Sequence, residues 1–260
     1  MVEYKRVVLK FGGSVIADIN AIGRVANVIK NISEKYKVMA VVVSAMGKTT
    51  DNLDRLAHNI APTPDKRELD ALLATGEMQS AALLAMWLNA IGVSARSYNA
   101  WQRGIITDDN FGNARIECIN SMLMSPYCGI PIVTGFQGIT ENGDITTLGR
   151  EGSDISAVAI AHVSCADFCW FFKDGGGIYD KNPKNNFGAK MYDFMTYDEA
   201  LGVIRAKQHY VLHPNCIEYG KKKYVPLFVS EFKSDFMPSE KAPLPLGTWI
   251  EKQKSCIPIR

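Results

Sequence analysis

Short, unbroken apolar runs alternate along this chain with longer stretches in which apolar residues return every three or four positions. Val7-Val8-Leu9 and Val38 to Val43 are runs of the first kind. They open into Phe11-Gly12-Gly13-Ser14 and Ser44-Ala45-Met46-Gly47-Lys48. Such runs predict strands buried on both faces. Between them, Ile22, Val25, Val28, Ile29 and Ile32 mark one face of a helix. The pattern next predicts a long helical region from about Glu68 to Ala90, interrupted near Gly76. Strands are expected near 95–98, 131–134, 168–172 and 248–250, and helices around 114–124 and 153–163. Glu141-Asn142-Gly143-Asp144 reads as a hairpin turn.

This β-α-β alternation predicts an α/β fold with a mostly parallel sheet covered on both faces. Ligands of such sheets sit beyond the carboxyl ends of the strands. The glycine-rich loops after Lys10, Val43, Thr134 and Phe172 fall there. No repeat and no low-complexity linker divides the chain.

Composition narrows the class. The chain has 260 residues, 47% of them hydrophobic, enough for one large domain or two lobes. Its 29 basic and 27 acidic side chains leave a net charge of +2, which carries no bias toward nucleic acid or membrane surfaces. Lys221-Lys222-Lys223 is expected on the solvated face of a helix. No stretch reads as a run of about 20 apolar residues, and the first residues lack a signal-peptide layout. The six cysteines form no C-x-x-C pair and read as reduced thiols. With four scattered histidines a zinc site is not expected. A cytoplasmic protein is the expectation.

The most informative stretch is Thr146-Thr147-Leu148-Gly149-Arg150-Glu151-Gly152-Ser153-Asp154. Helical spacing resumes after it at Ile155, Val158, Ala159 and His162, so Gly-Ser-Asp should open a helix. A helix N-terminus presents free N–H groups that suit an anion, and Arg150 can fork onto a carboxylate or phosphate. Ser153 or Asp154 alone could be an ordinary cap; their conjunction with Arg150 argues for a site. Neither common phosphate fingerprint is present. Gly47-Lys48-Thr49 imitates the end of a P-loop, but Val42 stands where its first glycine belongs, and no G-x-G-x-x-G occurs. Lys10-Phe11-Gly12-Gly13-Ser14 offers another phosphate site: a strand-end charge followed by bare amides.

In order, KFGGSV, VVVSAMGKTTDNL, LLATGEMQSAALLA, GFQGITENGDITTLGREGSD and VLHP resemble the catalytic domain of aspartate kinases, in the amino acid kinase superfamily. The resemblance runs from about Arg6 to Ile250. It implies a three-layer αβα sandwich, with a substrate-binding lobe over about 1–145 and a nucleotide-binding lobe over about 146–260. The implied activity is ATP- and Mg²⁺-dependent phosphorylation of the side-chain carboxylate of L-aspartate to 4-phospho-L-aspartate. That reaction would feed lysine, threonine, methionine and diaminopimelate synthesis. By motif position, Lys10 and Asp154 are the catalytic pair, Asp154 orienting Lys10. Ser44, Thr50, Glu77, Arg150 and Ser153 would bind substrate, Glu77 its ammonium and Arg150 its α-carboxylate. Gly12, Gly13, Ser14, Lys173, Asp174, Tyr179, Lys184 and Tyr210 would bind ATP with Lys10. No protein-held metal is expected. The rivals are a kinase for a related small amino acid and a non-catalytic regulatory homologue; the retained Lys10, Glu77, Arg150 and Asp154 favour an enzyme.

The chain also departs from the family. Lys173, Asn182 and Lys184 replace threonine, aspartate and arginine of the usual nucleotide loop, and Tyr210 replaces a lysine expected to contact phosphate. The opening KFGGSV is one residue shorter than usual. Regulatory ACT domains are not expected, which leaves a bare catalytic domain, expected as a homodimer, or regulation by a separate chain.

Overall fold

A computed structural model describes residues 4–120, 128–183, 185–206, 211–239 and 244–253. In chain order the elements are β1 (Arg6–Phe11), α1 (Ile19–Ser33), β2 (Lys37–Val43), α2 (Thr49–Ile60), α3 (Lys66–Ala90) and β3 (Ala95–Tyr98). A 3-10 turn (Ala100–Arg103) leads to β4 (Ile105–Thr107), β5 (Ile116–Ile119), β6 (Ile130–Thr134), β7 (Gln137–Ile139) and β8 (Ile145–Thr147). Then come α4 (Gly152–Val163), β9 (Phe168–Lys173), β10 (Phe194–Thr196), α5 (Tyr197–Arg205), α6 (Pro214–Lys223), β11 (Leu227–Glu231) and β12 (Gly247–Glu251).

Eight strands form one sheet in the order β10-β12-β11-β9-β1-β2-β6-β3, parallel throughout except where β11 meets β12. Alternation along the central strands sorts the core into two layers. Val7, Leu9 and Phe11 pack with α1 and α3 on one face; Val8, Cys169 and Phe171 pack with α4, α5 and α6 on the other. This is the expected αβα sandwich. β7 and β8 are the expected hairpin, but they belong to a second, four-stranded sheet, β5-β4-β7-β8, that the apolar pattern does not announce.

Three local expectations change. Residues 116–119 form strand β5 rather than a helix, because Ile116–Ile119 pairs antiparallel with β4; the rest of that expected helix, from 121, lies outside the described residues. Helix α3 runs unbroken through Gly76, whose missing side chain admits Ala45: a Cβ there would stand 2.9 Å from the Ala45 Cβ. At 25 residues, α3 is also long and apolar enough to cross a membrane by length and composition. It is instead a core helix here, packed on α1 and β3 and burying Asp70 and Glu77. The five cysteines among the described residues are free of disulfides.

Candidate active site

Strands β1 and β9 are parallel neighbours, with Lys10 opposite Phe171. The pleat therefore puts Lys10 and Lys173 on one sheet face, the face that α4 covers. Asp154, in the first turn of α4, is fully buried between them. Lys10 Nζ lies 2.7 Å from Asp154 Oδ1 and Lys173 Nζ lies 2.8 Å from Oδ2. Burial alone would raise the Asp154 carboxyl, but the attraction of Lys10 and then Lys173 holds it below its ordinary value. Burial likewise works against the charge on Lys173, and Asp154 outweighs it and raises the lysine's pKa. Two cations on one carboxylate leave an excess positive charge at the carboxyl edge of the sheet.

Beside them, the chain leaves β1 through Gly12 and Gly13 into Ser14. The Gly12 carbonyl accepts hydrogen bonds from the Val15 and Ile16 amides, and the Gly13 carbonyl accepts from Gly47, which ties this turn to the loop after β2. A Cβ on Gly13 would stand 2.7 Å from the Ala45 carbonyl oxygen, so only glycine fits that contact without a shift.

The opposite wall is one face of α3. Asp70 and Glu77, two turns apart on it, both line the cleft. Glu77 is 3% exposed; its Oε1 accepts a hydrogen bond from the Ala45 amide at 2.9 Å, while Oε2 is buried without a partner. Burial raises the Glu77 pKa to about 7, against the lowering by the Ala45 amide and Lys10. Asp70 is also buried but accepts from the Gly112 amide, the Thr147 amide and the Thr147 hydroxyl. Burial is again the largest effect and raises its pKa.

The third wall is the turn from β8 into α4. Its helix begins at Gly152, as the sequence predicts; Glu151 precedes it with φ 60° and makes no side-chain cap. Arg150 is exposed at the rim and Ser153 is buried just inside. Together these walls enclose an open cleft of about 640 Å³. Among the expected site residues, Lys10, Gly12, Gly13, Ser14, Ser44, Thr50, Glu77, Arg150, Ser153 and Lys173 line it, and Asp154 lies beneath. Asp174 and Tyr179 stand outside this lining: Asp174 is exposed, and Tyr179 bridges to Met191. Lys184 and Tyr210 lie outside the described residues. Asp51, Asp70, Phe136 and Glu151 also line the cleft without having been singled out. Asp70 could have been found from its spacing to Glu77 on the same helical face.

A sequence profile of the amino acid kinase family matches residues 5–230. Aspartokinase of Geobacillus stearothermophilus is 44% identical over 226 residues, covering 86% of this chain and 55% of that protein. The solved aspartate kinase of Synechocystis superposes with a TM-score of 0.76 at 37% identity, over 95% of this chain and 40% of its own. Aspartokinase III of E. coli, solved in complex with lysine and aspartate, gives a TM-score of 0.79 at 25% identity, over 96% of this chain and 65% of its own. The chain spans about half the length of the curated relatives it matches. A profile match over most of the chain, on a sandwich whose strand ends carry the lysine, the glycine turn and the arginine turn of one cleft, means that this chain belongs to the amino acid kinase family.

Proposed function

We propose that the cleft transfers the γ-phosphoryl group of ATP to the side-chain carboxylate of L-aspartate, giving 4-phospho-L-aspartate and ADP. The observation that carries this reading is the Lys10–Asp154–Lys173 arrangement, facing Glu77 and Arg150 across one cleft. Two lysines and a glycine turn suit phosphate; a buried, half-satisfied carboxylate and a rim arginine suit the ammonium and carboxylate of an amino acid. The relatives named aspartokinase support the choice of acceptor.

The chemistry asks little of the protein beyond placement and charge. An acceptor carboxylate is already ionised at neutral pH, so no general base is needed. One carboxylate oxygen bonds to the γ-phosphorus as the bond to the β–γ bridging oxygen breaks, and ADP leaves with that oxygen's electron pair. Lys10 and Lys173 offset the charge on the transferring group, and Asp154 fixes both ammoniums before substrate arrives. The Gly12–Gly13 turn offers close backbone approach to phosphate oxygens. Magnesium would accompany the nucleotide, held by phosphate oxygens and water. Among the described residues no group of three or more His, Cys, Asp and Glu side chains is placed to hold a metal, and Asp154 is committed to the lysines.

On this reading Glu77 Oε2 receives the α-ammonium and Arg150 the α-carboxylate, while Lys173 serves the nucleotide. The product would feed lysine, threonine, methionine and diaminopimelate synthesis. An ADP-release assay across a panel of amino acids tests the assignment. Aspartate should give the highest kcat/KM by at least tenfold; preference for another acceptor would replace it.

A further inference from the structure

Two carboxylates from one face of α3 reach the cleft wall, and their hydrogen bonding differs in kind. Glu77 lines the cleft and leaves its buried Oε2 without a hydrogen-bond partner. Asp70 is engaged by the protein itself: the Gly112 amide at 2.9 Å and the Thr147 amide at 2.8 Å meet Oδ2, and the Thr147 hydroxyl at 2.7 Å meets Oδ1. A carboxylate so engaged has little capacity left for a ligand. What it holds is informative. Thr147 ends β8, three residues before Arg150, and Gly112 belongs to the loop that abuts the same turn.

The two segments also touch directly. The Ala114 amide donates to the Thr147 carbonyl, and Gly149, at φ 71°, fits against Asn113 so closely that a Cβ would lie 2.7 Å from Asn113 Oδ1. Asp70 thus joins three separate pieces of chain, α3, the 112 loop and the β8 end, at the root of the turn that presents Arg150. Arg150 itself is exposed at the rim. Its placement therefore depends on the backbone beneath it.

We infer that Asp70 is a positioning residue: it latches the β8–α4 turn to helix α3 and thereby sets the arginine that receives the acceptor's carboxylate relative to Glu77, which receives its ammonium. This rests on the acceptor geometry proposed above. Both contact points of the acceptor are then referenced to one rigid helix, Glu77 directly and Arg150 through Asp70.

The test uses the full chain in wild-type, Asp70→Asn, Thr147→Val, Arg150→Ala and Asp70→Asn/Arg150→Ala forms, each checked for folding by thermal melting. Asparagine would turn an NH₂ toward a donor and break part of the latch; valine removes only the hydroxyl contact. Hydrogen exchange at the Thr147 and Gly112 amides reads the latch without any substrate, and protection should fall at least tenfold in Asp70→Asn. Unchanged protection overturns the proposal even if the protein phosphorylates something other than aspartate. In turnover, Asp70→Asn should raise the aspartate KM at least tenfold with kcat and the ATP KM within about threefold, and Thr147→Val should do the same more weakly. In the Arg150→Ala background the added penalty of Asp70→Asn should vanish, because both changes remove one interaction. An equal penalty in both backgrounds, or a fall in kcat with KM unchanged, overturns the positioning role. Absence of aspartate turnover in the wild type sinks the acceptor assignment instead, and leaves the exchange result to decide the latch.

Discussion

Asp154 and Glu77 are equally hidden carboxylates of one cleft, yet their acidities move in opposite directions. Asp154, 0% exposed, meets two lysines and stays ionised below its ordinary range. Glu77, 3% exposed, has the Ala45 amide, its own amide and the more distant Lys10, and burial raises it to about 7. Burial costs both; the number of cations within contact decides the sign. The contrast divides the cleft by task. Around Asp154 charge is compensated inside the protein, so the lysines stand ready before any ligand binds. At Glu77 compensation is incomplete, which is what the proposed ammonium role requires.

Breaking the compensated side should have the largest effect. Asp154→Asn leaves the buried Lys10 and the partly buried Lys173 without their counter-charge. Loss of one partner of a buried ion pair costs about 3–5 kcal/mol, so urea unfolding should show a fall of that order. Turnover should drop by several orders of magnitude, and Lys10→Ala, which loses a main transition-state cation, should cost roughly 3–4 kcal/mol in kcat. A folded Asp154→Asn protein with near-normal turnover would end the idea that the carboxylate organises the site.

Lys173→Met is the next sharpest probe, because it removes one cation and leaves the Lys10–Asp154 pair. A reduction in kcat of roughly tenfold to a hundredfold is expected, with partial recovery in Lys173→Arg. If kcat held steady while only the ATP KM rose, Lys173 would bind nucleotide in the ground state alone.

Glu77→Gln tests the uncompensated side and carries a pH signature. The folded protein holds the Glu77 proton more tightly than the unfolded chain does. That preference contributes stability below the ordinary glutamate pKa, and the contribution is lost as pH rises through about 7. The Gln variant should therefore match wild type near pH 4 and exceed it at pH 8, by roughly 3 kcal/mol. Aspartate binding should show the reverse, tightening in wild type as Glu77 ionises through pH 7 and remaining flat in the variant. Parallel pH curves for both proteins would contradict the assignment of Glu77 to the ammonium.

Much of this arrangement was legible in the chain. Apolar runs at Val7–Leu9 and Val38–Val43 gave parallel strands because a strand buried on both faces has no polar side to display. Glycines after those strands marked the cleft, and Gly152-Ser153-Asp154 opened α4 as its spacing implies. The helix expected over 114–124 failed where it could be seen, since Ile116–Ile119 takes its conformation from pairing with β4, a partner outside the local window. The α3 break expected at Gly76 failed for a similar reason: packing against Ala45 outweighs a glycine's weak helix propensity.

Sequence by itself determined the parallel heart of the sheet, its two covered faces and the residues that could carry charge to the strand ends, because periodicity and glycine act within a few residues. Strands Phe194–Thr196 and Leu227–Glu231 were not expected from it. Only the tertiary structure decided which charges meet. Lys10 and Lys173 are far apart in the chain and become partners of Asp154 because β1 and β9 are neighbours under α4. Asp70 and Glu77 share a helical face, yet one takes three hydrogen bonds from the β8 end and the 112 loop while the other leaves a buried oxygen without a partner. Hydrogen-bond saturation depends on what packs opposite, and that is a property of the folded chain alone.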